Sequence, residues 1–196
     1  MVGFHYHSLP GSDWLQDKGI VPRTMQGLWG LIGVHFIHGN NTHLWANVPN
    51  LIFLMYITIA YFPSIAKYIF IYTFIITPIL MWLFCRGGVM HIGASAWIYA
   101  IFGFLFFTGI FAKNPRVRAV TLFVGFAFSG MFWGILPYQK GVSWDGHLCG
   151  LIAGVLTALF LKGNVALLFP IVAKEWQNEL DEDYPDYYAQ FDKSKD

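Results

Sequence analysis

From residue 18 to residue 144 the chain carries no aspartate or glutamate. Of its 11 acids, Asp13 and Asp17 stand near the start, Asp145 stands alone, and the rest run from Glu175 to the end. An interior without carboxylates excludes aspartyl proteolysis inside a membrane, which needs two intramembrane acids. Charge of either sign is scarce: 12% of residues are charged, against about 25% in soluble domains. Net charge is +1 and no basic cluster with interleaved aromatics appears, so no nucleic-acid partner is implied. Cysteine is limited to Cys85 and Cys149, with no CxxC and no zinc-finger spacing; this is no disulfide framework. Both sit at ends of apolar segments and read as buried free thiols, with a bridge between them left open. HExxH, the zinc-protease signature, is also missing.

What fills the space is hydrocarbon. Hydrophobic residues make up 56% of the chain and aromatics 19%. A spanning helix needs about 20 mostly apolar residues, and five segments approach this: 44–62, 68–84, 95–112, 119–136 and 147–161. The fold expected is therefore an all-α polytopic membrane protein. Residues 27–36, "GLWGLIGVHF", are apolar but short and glycine-rich, and read as an interfacial or re-entrant piece. Three regions follow: a polar N-terminal segment over 1–26, a membrane domain over 27–162, and an interfacial segment with an acidic tail over 163–196. The 1–26 segment shows neither the n-region nor the h-region of a signal peptide.

Short-loop lysine and arginine set the orientation. Lys67, the "KNPRVR" loop and Lys162 fall on one side; Arg86, Lys140, Lys18 and Arg23 fall on the other. The "KNPRVR" loop is densest, so its side and the C-terminus are expected in the cytoplasm.

Ionisable residues left inside an apolar domain usually have a function, because insertion costs at least about 2.5–3.5 kcal/mol each. Here histidines remain where every acid has gone: His35, His38, His43 and His91. The expected topology also brings three polar stations to one outer level, each opening an inward-running span. These are His43 to Asn47, Ser95, and His147. Gly93, Ala94 and Ala96 strip bulk from around Ser95. Tyr99 and Gly103 share its helix face by their spacing of four and eight residues. Gly150 and Gly154 share the face of His147 and form a GxxxG pair, which lets two helices touch backbone to backbone. Docking those faces would put the hydroxyl within reach of the imidazole, a nucleophile with its general base. His43 and Asn47, at i and i+4, could offer hydrogen bonds to a developing oxyanion. Asp145, two residues from His147, is the only acid near the membrane, so a Ser-His dyad is a simpler assignment than a triad. Each feature has a plainer reading: a helix-gluing serine, a backbone-bonded histidine, a self-capping helix start. A three-histidine zinc site among His35, His38, His43, His91 and His147 would leave the surroundings of Ser95 unexplained.

The segments "HGNNTHLWANVPN", "GASAWIYAIFG" and "GHLCGLIAG" resemble, in order and on alternate helices, those of rhomboid intramembrane serine proteases. The resemblance covers roughly residues 20 to 162. It implies Ser95 as nucleophile and His147 as general base and acid. It implies His43, Asn47 and the backbone N–H of Ser95 as the oxyanion site, Tyr99 packed on the His147 ring, Gly93 leaving room beside the serine, and His38 as a structural histidine. The reaction implied is peptide-bond hydrolysis in or near transmembrane segments of protein substrates, in a bacterial inner or plasma membrane, without cofactor or metal. The family core has six helices; the one expected before residue 20 has no counterpart here. Ala96 stands where many relatives have glycine. The alternative is an inactive relative that binds membrane clients without cutting.

Overall fold

The computed structural model describes residues 18–112, 114–138 and 141–169. The expected acidic tail, Pro170, and most of the 1–26 segment, where a counterpart of the family's first helix would fall, lie outside the described residues. Within them the protein is all-helical. The one β-type feature there is an antiparallel bridge in which Ile20 and His91 exchange backbone hydrogen bonds of 2.9 and 2.8 Å.

Residues Gln26–Trp29, Gly30–Gly33 and Val34–Phe36 form three short helical turns in place of a span. The first long helix, α1, covers Asn41–Tyr61. It begins three residues before the apolar run because the Asn40 side chain accepts a 2.7 Å bond from the His43 N–H, an N-cap that satisfies an otherwise orphan donor. Helix α2 covers Ala66–Phe84. Arg23 closes its far end by donating to the carbonyls of Leu83 and Cys85 at 2.9 and 2.8 Å. Helix α3, Ser95–Phe111, is the centre of the molecule: Ile101, Phe102, Phe104 and Leu105 are each at most 1% exposed. A helix apolar on every side is stable only when surrounded, and α3 packs against α1, α2, and the two helices that follow.

Helix α4 covers Pro115–Ala127. Asn114 caps it and Pro115 occupies its first turn, where a missing N–H costs nothing, so it starts before the expected 119. It also stops short. The expected continuous span over 119–136 breaks at Phe128, and only a single turn, Met131–Gly134, resumes. The Ser129-Gly130 pair in the break is a common cause of such interruptions.

Helix α5 covers Trp144–Phe160 and bends by 60° into α6, Lys162–Leu168. By length and hydropathy α1 and α2 can each cross a bilayer alone, α5 with α6 can do so as a broken pair, and α3 is an apolar helix of 17 residues. The chain is an integral membrane protein on this showing. Helices α3 and α5 run parallel and in register. A Cβ on Gly150 would strike the Ala96 carbonyl, one on Gly154 would strike the Ala100 carbonyl, and one on Gly103 would lie 2.8 Å from the Leu151 carbonyl oxygen. Side chains at the starts of both helices are thereby brought to the same end of the bundle.

Candidate active site

Ser95 is the first residue of α3, and His147 lies one turn into α5. With the two helices in register, Ser95 Oγ and His147 Nε2 stand 2.9 Å apart. The other ring nitrogen, Nδ1, is 2.9 Å from the carbonyl oxygen of Gly134. A carbonyl can only accept, so Nδ1 carries the proton. The neutral ring then presents Nε2 as an acceptor, and Ser95 donates its hydroxyl hydrogen to it. One backbone oxygen thus fixes the tautomer in which the imidazole can take a proton from the serine.

Tyr99 lies flat on the same ring, with centroids 4.2 Å apart and planes within 11°. Its hydroxyl donates to the Met131 carbonyl at 2.8 Å. The break after α4 therefore supplies both backbone acceptors, Met131 to the tyrosine and Gly134 to the histidine. Neither was legible in the sequence, because a carbonyl has no side-chain signature; the nearest signal was the helix-breaking "SGMFWG" run itself.

On the far side of the serine stand His43 and Asn47, one turn apart on α1. Asn47 is buried at 6% exposure, yet its Nδ2 has no partner among the described residues. Gly93 lies between these side chains and Ser95 with φ of +106°, and a Cβ there would come within 2.7 Å of His43 Cε1. Glycine is needed for the backbone conformation and for the space alike. The ring of His38 meets that of His43 edge-on at 5.1 Å, and its Nε2 accepts from the Ala94 N–H at 3.4 Å. Gly150 and Gly154 sit on the α3–α5 seam, as described above.

Asp145 stands in the first turn of α5, and its bonds go to Arg86, not to His147. It is 6% exposed and accepts from Arg86 three times: from the backbone N–H at 2.8 Å, from Nε at 3.0 Å, and from Nη2 at 3.1 Å. His91, 1% exposed, bonds Ser143 Oγ through Nδ1 at 2.6 Å, and the Arg86 carbonyl lies 3.3 Å from its Nε2. Burial holds His91 below the usual histidine pKa, against a partial pull upward from Asp145 and the Arg86 carbonyl. His35 is buried between Phe74 and Trp97, with centroids at 4.5 and 5.6 Å, and burial lowers it to about 4. Of the five histidines considered as zinc ligands, His38 and His43 pack on one another, while His35, His91 and His147 each have other partners. The grouping of metal-type donors found among the described residues is a different one, Cys85, His91 and Asp145.

The Rhomboid domain family matches residues 25–164 of the chain. Among curated proteins, uncharacterized proteins of Mycobacterium tuberculosis and Mycobacterium bovis are each 33% identical over 159 residues, covering 76% of this chain and 65% of their own length. An uncharacterized protein of Mycobacterium leprae is 32% identical over 159 residues, 62% of its length. The chain spans about two thirds of the length of these relatives. No solved structure matches it significantly.

Proposed function

The chain belongs to the rhomboid family, and from that premise we propose that it is an intramembrane serine endopeptidase working through a Ser95–His147 dyad. The observation that carries this reading is the 2.9 Å contact between the Ser95 hydroxyl and Nε2 of His147, made across two separate apolar helices. Ser95 Oγ attacks the scissile carbonyl carbon while His147 Nε2 takes the hydroxyl proton. The imidazolium so formed keeps its Nδ1–H on the Gly134 carbonyl. Asn47 Nδ2, His43 and the Ser95 N–H donate to the oxygen that becomes negative; as the first helical residue, Ser95 has no intrahelical use for that N–H. His147 then protonates the leaving amine. In the second half it takes a proton from water, the hydroxide so formed attacks the acyl ester carbon, and His147 returns the proton to the departing Ser95 oxygen.

Substrates on this reading are membrane proteins whose transmembrane helix frays near the outer surface, with a small residue at the cleaved position. Residues 27–162 form the catalytic domain, and the chain leaves it toward the cytoplasmic side. The polar, glycine-rich loops at Gly87-Gly88 and around Gly141 suit a wet hollow at the outer end, where irregular backbone is tolerated in a membrane.

The test is a fluorophosphonate probe on protein held in lipid, alongside cleavage of a transmembrane reporter. Labelling at Ser95, abolished by Ser95→Ala and by His147→Ala, is expected together with reporter cleavage. A folded sample that neither labels nor cleaves would establish the client-binding relative instead.

A further inference from the structure

Away from the dyad, Cys85 and Cys149 bring their sulfurs to 3.7 Å. Both are buried, at 1% and 6% exposure, and both thiols are free. Cys85 ends α2 and Cys149 lies in the second turn of α5. Because Cys149 is two residues from His147 it faces α2, not the serine. Ile20, Val34, Met81 and Ala96 pack around the pair, with His91 and Asp145 close to Cys85 on its polar side. The two helices are pressed together here, since a Cβ on Gly146 would lie 3.1 Å from Met81 Cε. The neighbours of the cysteines are themselves tied, because Arg86 follows Cys85 directly and Asp145 precedes Cys149 by one turn. That ion pair holds the sulfurs in register whatever their chemical state.

We propose that Cys85 and Cys149 are a redox pair whose oxidation forms a disulfide stapling the end of α2 to the start of α5. The sulfurs must close from 3.7 Å to about 2.05 Å. The oxidant is a disulfide, of a small molecule or of a thiol-oxidising protein. One cysteine thiolate attacks it and expels a thiolate; the second then displaces the other half. Two electrons pass to the oxidant, which leaves as two thiols carrying the two cysteine protons. A bond between residues 64 positions apart restricts the unfolded chain strongly, so the oxidised form is the more stable one. Metal binding is disfavoured at the same place. Although donor atoms of Cys85, His91 and Asp145 lie within 4.8 Å of one another, the Arg86 fork already occupies both carboxylate oxygens, and Ser143 occupies His91 Nδ1.

The chain has just these two cysteines, so thiol counting reads the pair directly. The full chain is synthesised into lipid nanodiscs in glutathione buffers running from reducing to oxidising, so that the thiols meet the oxidant before burial. It is then denatured in a maleimide–polyethylene glycol reagent and resolved on a gel. Two additions in the reduced buffer are expected to give way to none in the oxidised one, without a dimer band and reversibly with dithiothreitol. The oxidised protein should melt several degrees higher, and Cys149→Ser should lose that rise. Thiols that both react across the whole range, an intermolecular dimer in place of the monomer, or bound zinc released in step with thiol exposure would each overturn the proposal. None of these readouts depends on proteolysis.

Discussion

His147 Nδ1 meets the Gly134 carbonyl oxygen at 2.9 Å, in the place where a serine hydrolase with a triad would hold a carboxylate. A carbonyl orients the ring and fixes its tautomer as a carboxylate does, but it brings a dipole in place of a full charge. That is the arrangement open to a domain that has no acid to spare inside the membrane. It makes the proposed dyad depend on a stretch of backbone, the single turn Met131–Gly134, which follows the break after α4.

The position of that turn can be tested at Gly134 itself. A Cβ there would collide with the Tyr99 hydroxyl and sit 3.3 Å from His147 Nδ1. Gly134→Ala must push the turn, the tyrosine or the imidazole out of place, and a displacement of about 1 Å at a reacting group can cost 10²-fold in rate. Reporter cleavage is expected to fall by about that factor while the melting temperature changes less, since no residue of the turn is fully buried. Activity equal to the parent's, with fold intact, would mean that Gly134 does not position the histidine.

Asn47 separates activity from stability more sharply. Its Nδ2 is buried with no partner among the described residues, so Asn47→Ala removes no hydrogen bond seen there. Stability should hold or rise slightly, because an unsatisfied buried donor is itself a cost. If that donor serves the oxyanion, kcat should drop by about 10²–10³ with KM nearly unchanged. A fall in melting temperature that tracks the loss of activity would assign Asn47 to packing.

The sequence carried the membrane class and the long helices because hydrophobic length is a direct physical signal. Ser95, Tyr99, His147, Gly150 and Gly154 could be placed on facing surfaces because residues at spacings of three and four lie on one side of a helix. What stayed hidden has the opposite character. The early start of α1 depends on one side-chain cap at Asn40. The early end of α4 depends on a Ser-Gly break inside an otherwise apolar run, which hydropathy averages away. The role of Asp145 stayed hidden because its partner, Arg86, lies 59 positions earlier, and no local pattern announces such a pair.

His91 gives a pH dependence that does not involve catalysis. It is buried against Ser143, Asp145 and Arg86, and burial holds its folded pKa below the ordinary 6.5. Below about 6.5 the unfolded chain therefore binds a proton that the folded protein refuses. Its contribution is complete above that pH and is lost as pH falls toward the folded pKa. The slope reaches at most about 1.4 kcal/mol per pH unit for one proton. Melting temperatures measured from pH 7.5 down to 5 should decline more steeply for the parent than for His91→Gln. Parallel curves would show that His91 takes no part in the acid sensitivity.

Arg86 and Asp145 join the same two helices as the proposed staple, and the asymmetry of their burial decides which half matters more. The arginine side chain is 49% exposed and the aspartate side chain 8%. Deleting the arginine side chain leaves a nearly buried carboxylate with the backbone N–H of residue 86 but without its guanidinium, whereas deleting the carboxylate leaves a guanidinium that water can reach. Arg86→Ala is therefore expected to destabilise by about 2–3 kcal/mol, the range for lost hydrogen bonds to a buried charge. Asp145→Asn keeps an acceptor for Arg86 and removes the buried charge, so it should cost less, and the double variant Arg86→Ala/Asp145→Asn should recover part of the single arginine loss. Thermal unfolding of the three proteins in one detergent gives the cycle directly. If the two single variants were equally destabilised and their effects simply added, the pair would not be coupled and the ion bridge would hold nothing together.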